Sequence, residues 1–251
     1  MKLALISDIH GNAAALDAVL RDLDAQRPDR VFVLGDLAYR GAEPKRTLAL
    51  VRSLGCPVIG GNADLWVTRG IREGEVAAAA LERMRREREW TLAHLDDADL
   101  AYLAALPDAH SEELPGGAPL LLCHAAPDDR FRIVRPDAPD GELLATFARG
   151  RKPAANGPAP APAAVAAYGH IHLPFVRFAQ GVAVINPGSV GLPFDGVAKA
   201  SYALLEFDRA GVAVSIRRAA YDLDRATEAL ARLDYPEAEL VARAIRTGLA
   251  P

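Results

Sequence analysis

Cysteine, lysine and methionine are scarce in this 251-residue chain, and long apolar runs are missing. Two cysteines, Cys56 and Cys123, cannot build a disulfide framework, and the absence of any Cys-x-x-Cys argues against a thiolate metal site. That usage points to a reducing, cytoplasmic setting. No apolar stretch approaches the roughly 18 residues of a membrane span. The amino-terminal run Leu3–Ile6 is interrupted by Asp8 and His10, short of the about 7–15 apolar residues of a secretory leader, so neither a signal peptide nor a membrane partner is expected. Positive charge is not in excess either. With 29 Lys and Arg against 33 Asp and Glu the net charge is −4, the wrong sign for a nucleic-acid partner. Apolar residues make up 51% of the chain and charged residues 25%, which excludes a disordered chain and suffices for a sizeable core.

Short apolar runs recur, each closed by a polar mark. Leu3–Ile6 ends in Ser-Asp, Val31–Leu34 in Gly-Asp, Pro57–Ile59 in Gly-Gly-Asn, Leu120–Cys123 in His124, Val165–Tyr168 in Gly-His, and Val182–Ile185 in Asn-Pro-Gly-Ser. Runs this short and apolar read as buried strands. Leu16, Val19, Leu20 and Leu23 fall at helical spacing between the first two, as do Thr47, Leu48, Val51 and Leu54 after the second. The opening is therefore strand–helix–strand–helix–strand, an α/β pattern of parallel pairing. Tyr202–Phe207 and Val212–Ile216 read as a hairpin, and two helices close the chain within about 222–248. The segment 65–119 shows no strand character and reads as a helical insertion, with Asp97 capping its second helix; its Arg83, Arg85, Arg86 and Arg88, interspersed with Glu82, Glu87 and Glu89, read as a solvated helix face. Lys152–Ala164, rich in proline and alanine, reads as a low-complexity mobile loop.

Residues able to bind metal stand directly after these runs: Asp8 and His10, Asp36, Asn62, His124, His170 and His172. Open sheets bind ligands at the carboxyl ends of their strands. Asp8/His10 and His170/His172 are i, i+2 pairs, which on extended backbone point the same way and can address one ion. So many polar groups at the ends of buried strands need a partner, and a cation satisfies them together. Imidazole and oxygen donors without thiolate suit Mn, Fe, Zn or Ni. Other chemistries fail. Cys123 and His124 are adjacent and would face opposite sides of a strand, Pro187 stands where a nucleophile elbow needs its first glycine, and no phosphate-cradling glycine loop occurs.

Taken in order, Asp8-x-His10-Gly11-Asn12, Gly35-Asp36, Gly61-Asn62-x-Asp64, His124 and Gly169-His170-x-His172 resemble the five blocks of the calcineurin-like metallophosphoesterases, and Asn186-Pro-Gly-Ser189-Val-Gly191 extends the resemblance. It implies a single domain over 1–251 with a four-layer α-β-β-α sandwich of two mixed sheets flanked by helices. It implies two divalent ions, manganese favoured. Asp8, His10 and His172 would hold the first, Asp36 would bridge both, and Asn62, His124 and His170 would complete the second. Asp36 and Asn62 take catalytic roles as well. Asn12, Asn186 and Ser189 are candidate substrate contacts, though the last two also fit a turn. The implied reaction is hydrolysis of a small phosphodiester or nucleotide phosphoanhydride. A phosphomonoesterase, a Ser/Thr protein phosphatase and a non-catalytic scaffold of the same fold are the alternatives.

One position departs from the family pattern. Phosphatase-type members carry histidine directly after the asparagine of the third block, and here that residue is Ala63. Asp64, which would orient such a ring, is expected to cap the helix beginning at Leu65. Ala63→His is expected to restore assistance to the leaving group if Asp64 can orient the ring. His94 and His110, in the insertion, are the first candidates for a substitute acid.

Overall fold

A computed structural model of the protein describes residues 1–114, 119–148, 165–208 and 211–250. The stretch Lys152–Ala164, read above as a mobile loop, lies outside the described residues. The first sheet joins β1 (Lys2–Ile6), β2 (Arg30–Val33), β8 (Ala200–Asp208) and β9 (Gly211–Ala219) in the order β2-β1-β8-β9. β1 and β2 are parallel, with helix α1 (Ala13–Gln26) between them in sequence and α2 (Pro44–Ser53) after β2; β8 and β9 form the expected hairpin. The second sheet joins β3 (Ala109–Glu113), β4 (Pro119–Cys123), β5 (Val165–Ala167), β6 (Phe175–Ala179) and β7 (Val182–Asn186) in the order β3-β4-β5-β7-β6. Its three central strands are parallel and its two edge strands antiparallel.

The two-residue period of the strands divides their side chains between layers. Leu3 and Leu5 pack with Leu120, Leu122, Ala203 and Leu205 between the sheets. Ala4 and Ile6, on the opposite face of β1, pack with Leu16, Val19 and Leu23 of α1. On the far side of the second sheet, Leu121 and Cys123 meet Leu143 and Phe147 of α6 (Asp140–Ala148). The result is the α-β-β-α sandwich. At the carboxyl end, α7 (Leu223–Arg232) and α8 (Ala238–Thr247) bury Leu230, Val241 and Ile245 against Ala14 of α1.

Four local expectations need correction. Pro57–Ile59 is not a strand; it contributes one parallel bridge, Val33 to Val58. The 65–119 segment is not strandless. After α3 (Asn62–Arg69), α4 (Ala78–Ala93) and α5 (Asp97–Ala104) it supplies β3, whose polar sequence Ala-His-Ser-Glu-Glu carries no apolar signature because backbone pairing with β4 alone makes it a strand. Asp96 rather than Asp97 caps α5, accepting the Asp99 amide at 2.9 Å. The face of α4 is not wholly solvated either. Arg85 pairs with Glu82 and Arg86 with Glu237 at the surface, but Glu87 is 0% exposed and faces the Tyr39 hydroxyl.

Candidate metal centre

The loops that leave β1, β2, β4 and β5 are tied to one another by their main chains. Asp8 N donates to Gly35 O at 3.0 Å, His10 N to Asp36 O at 2.9 Å, and Gly169 N to His124 O at 2.8 Å. These bonds hold unusual backbone. Asp8, His10, Asp36, His170 and His172 have φ of 55°, 49°, 57°, 69° and 57°, so five of the nine described non-glycine residues with positive φ come from the candidate ligands. Left-handed backbone costs a non-glycine residue on the order of 1–3 kcal/mol and persists where the surroundings over-determine it. The i, i+2 pairs are thus not extended. They converge because alternate residues turn into the left-handed region.

Two glycines make this crowding sterically feasible. A Cβ on Gly61 would overlap Asp36 Oδ1, and one on Gly169 would overlap Ser7 Oγ and crowd Asp8 Oδ2.

Asp8, His10, Asp36 and His172 are buried and bring one ligand atom each within 4.8 Å of one another. His10 Nδ1 lies 2.9 Å from Tyr39 O, and His172 Nδ1 faces Leu192 O. A carbonyl only accepts, so each ring carries its proton on Nδ1 and presents a lone pair at Nε2. Those two Nε2 atoms face each other at 3.1 Å. Asp36 Oδ2 lies 3.5 Å from His10 Nε2, and Asp8 Oδ1 lies 3.4 Å from His172 Nε2. Four converging lone-pair donors in a buried space repel unless a cation sits among them, so this donor set fits a divalent ion.

A second group adjoins the first through Asp36. His124, 0% exposed, donates from Nδ1 to Leu34 O at 2.7 Å and presents Nε2 to Asn62 Oδ1 at 2.9 Å. The same nitrogen lies 3.4 Å from Asp36 Oδ2. The His170 ring stands edge-on to that of His124, with centroids 5.2 Å apart, and its amide donates to both Asp8 carboxylate oxygens at 3.1 Å. One carboxylate oxygen therefore stands between imidazoles of both groups.

The electrostatics follow from burial and this crowding. Burial pushes His10 and His170 down to about 4. Burial also opposes charge on His124, but the Asp36 carboxylate outweighs it and raises the group to about 9. Asp8 and Asp36 are held below the usual carboxylate range because His172 and His124 respectively overcome the cost of burial. The centre keeps both carboxylates ionised and the His10 and His170 imidazoles neutral, states that a metal requires of its ligands.

The profile of the calcineurin-like phosphoesterase superfamily domain matches residues 1–210. The chain belongs to the calcineurin-like phosphoesterase superfamily. A sequence relative, the uncharacterized protein MJ0912 of Methanocaldococcus jannaschii, is 29% identical over 261 residues, covering 94% of each chain. Among solved structures, a metallophosphoesterase from Sphaerobacter thermophilus is 25% identical with a TM-score of 0.74, covering 99% of this chain and 100% of its own. The hypothetical protein PH1004 from Pyrococcus horikoshii shares the fold at a TM-score of 0.81 and 19% identity, covering 100% and 99%.

In this calcineurin-like phosphoesterase the remaining candidates are spent on structure. Asn12 caps α1 by accepting the Ala15 amide at 3.0 Å and donates to Gly191 O at 3.1 Å. Asn186 donates to Gly169 O at 2.7 Å and accepts from Gly188 N at 2.9 Å. Ser189 donates to Asp8 O and accepts from Leu192 N, both at 2.7 Å. All three brace the loops that carry the centre. His94 stacks on Trp90 with ring centroids 3.8 Å apart, and His110 pairs with Glu112 at 2.8 Å, so both rings are engaged away from the cluster.

Asp64 does more than cap a helix. α3 begins at Asn62, and the buried Asp64 carboxylate accepts the amides of Gly61, Asp36 and Leu37, each at 2.9 Å. Both of its oxygens already accept main-chain amides, and Ala63 is itself 1% exposed within the core. The carbonyls of Leu34, Tyr39 and Leu192, which set the three tautomers, carry no sequence signal at all.

Proposed function

We propose that this phosphoesterase hydrolyses phosphodiester or phosphoanhydride bonds of small phosphoesters and nucleotides with two divalent ions. Asp8, His10, Asp36 and His172 would hold one, and Asp36, Asn62, His124 and His170 the other, with manganese first among Mn, Fe, Zn and Ni. The observation that carries the reading is Asp36 Oδ2, 3.5 Å from His10 Nε2 and 3.4 Å from His124 Nε2. When bound, such ions polarise the phosphoryl group and make water a nucleophile at neutral pH.

The chain's own contribution is to fix the donors. Backbone carbonyls hold a proton of His10, His124 and His172 on Nδ1, so Nε2 is the nitrogen each ring would offer to a metal. Asp36 is fixed at both ends, with Oδ1 accepting the Ala63 amide at 2.8 Å and Oδ2 left toward the imidazoles. No imidazole stands at 63 to protonate the departing group, which favours anhydrides and esters of acidic alcohols over alkyl monoesters.

The test is hydrolysis of bis-p-nitrophenyl phosphate with elemental analysis of the protein. Activity is expected to vanish on chelation and return with manganese. Asp36→Asn is expected to lower both activity and the metal bound per chain more than the loss of any other single donor. A protein that binds no metal and is rescued by none would overturn the reading.

A further inference from the structure

An open cleft of about 390 Å³ adjoins the centre, and His170 lines both. Its other walls are Ile133, Arg135, Pro136, Ile171 and Leu173. One wall belongs to the segment that follows His124, the other to the segment that carries His170 and His172. A volume of this size is in the range of small-molecule sites, roughly 300–1,000 Å³.

The cleft is held open by buried contacts. Val134 is 4% exposed and packs into the core beneath the second sheet. The Tyr168 hydroxyl donates to Val134 O at 2.8 Å, and Arg177 Nη1 donates to Pro136 O at 3.1 Å. With Val134 pinned inward, its neighbours Ile133 and Arg135 turn outward. Ile133 is 71% exposed, an apolar side chain in water that the fold itself does not need. Arg135 pairs with Asp137 at 3.4 Å between side chains that are 75% and 79% exposed, a contact worth little in water.

The geometry points to this cleft as the subsite for the organic group of the substrate, specifically an aromatic ring, with Arg135 at the rim for a polar or anionic substituent. The inference rests on the proposed phosphoesterase centre. A phosphoryl group among the candidate ligands places an ester substituent beside His170, and the walls there are branched aliphatic side chains and a proline. A rigid ring covers such walls with less loss of conformational freedom than an alkyl chain. A simple aryl ester and a nucleobase both carry such a ring; the chemistry they share is a flat apolar face.

The experiment is calorimetric binding of two pairs of non-hydrolysable ligands to the manganese-loaded protein. Methylphosphonate is compared with benzylphosphonate, and methylenediphosphonate with α,β-methylene adenosine diphosphate. In at least one pair the ring is expected to tighten binding about 10-fold or more, in line with a well-filled apolar pocket. Enhancement in the first pair identifies aryl esters, and enhancement in the second identifies nucleotides. Ile133→Asp, on an exposed side chain, should bring that ratio within about 3-fold while leaving methylphosphonate affinity and metal content unchanged, and Ile133→Leu should keep it. No ring effect in either pair, no binding by any of the four, or a ring effect indifferent to Ile133→Asp would each overturn the inference. So would a dimer in sedimentation velocity that Ile133→Asp dissolves without a ring effect, because the cleft would then seat a second copy. Metal content and diester hydrolysis, measured on the same preparations, show separately whether the centre itself functions.

Discussion

Asp36 and Asp64 hold each other crosswise. The Asp64 carboxylate accepts the main-chain amide of Asp36 at 2.9 Å, while the Asp36 carboxylate accepts the amide of Ala63, beside Asp64 on the first turn of α3, at 2.8 Å. Neither group can shift without releasing the other. The loop after β2 and the start of α3 thus behave as one unit, and Asp36 Oδ2 keeps its place between His10 and His124.

Asp64→Ala should therefore damage both stability and metal binding. It strands the buried amides of Gly61, Asp36 and Leu37, at about 1–3 kcal/mol for each group left without a partner. Urea denaturation is expected to show a loss of about 3 kcal/mol or more. Metal affinity should fall about 10–100-fold, the usual effect of removing a group that orients ligands. A variant of native stability and affinity would show that the crosswise pair is dispensable.

Gly61→Ala tests the close approach directly. Its methyl group would overlap Asp36 Oδ1, and its neighbours there are a carboxylate and main chain rather than the tip of a flexible side chain. Overpacking of this kind costs about 1–3 kcal/mol. Metal measured by elemental analysis should drop while the circular dichroism of the helices is retained. Alanine at Gly55, where a Cβ meets nothing within 4 Å but φ is +57°, is the control that strains the backbone without touching the centre.

Glu87 links pH to stability. Tyr39 Oη lies 3.0 Å from both Met84 O and Glu87 Oε2, and its single proton can serve only one of them. Protonated Glu87 supplies the second proton, and burial, only partly opposed by Arg40, raises its carboxyl above the ordinary 4.5. A carboxyl with a raised folded-state value contributes stability that is complete below 4.5 and is lost as pH rises through the folded value. Glu87→Gln keeps a neutral donor there. Its stability relative to the native protein should thus improve between pH 4.5 and neutrality, as read from urea midpoints. A difference independent of pH would exclude ionisation of Glu87 as the cause.

Rates should depend steeply on the leaving group. A positioned general acid is worth about 10²–10⁴-fold, most for poor leaving groups, and none stands at Ala63. A series of esters of graded leaving-group pKa should give a steep slope. Ala63→His should not flatten it, because the site is 1% exposed and has no room for a ring; a stability loss of about 1–3 kcal/mol is expected instead. A flat slope in the native protein would mean that another group delivers the proton.

The sequence by itself made the buried strands and the candidate donors legible, and the resemblance to a known family supplied the sandwich. Leu3–Ile6 and Leu120–Cys123 are continuous apolar runs because each strand sends alternate side chains into two different cores, so burial on both faces is written in composition. A donor type placed just after each run marks the carboxyl ends of β1, β2, β4 and β5 and the end of Pro57–Ile59, and these five marks in order are legible without coordinates. Tertiary structure decided everything made by the main chain. β3 exists because Ala109–Glu113 pairs with β4, and its polar side chains carry no trace of that pairing. The left-handed turns at Asp8, His10, Asp36, His170 and His172 are held by hydrogen bonds between loops far apart in the chain, so residues that would point alike on an extended strand converge by a different route. The Nδ1 protons of His10, His124 and His172 are set by carbonyls of Tyr39, Leu34 and Leu192, and a carbonyl is the same in every residue. Side-chain chemistry can be read along a chain; backbone partners are chosen only when distant segments meet in space.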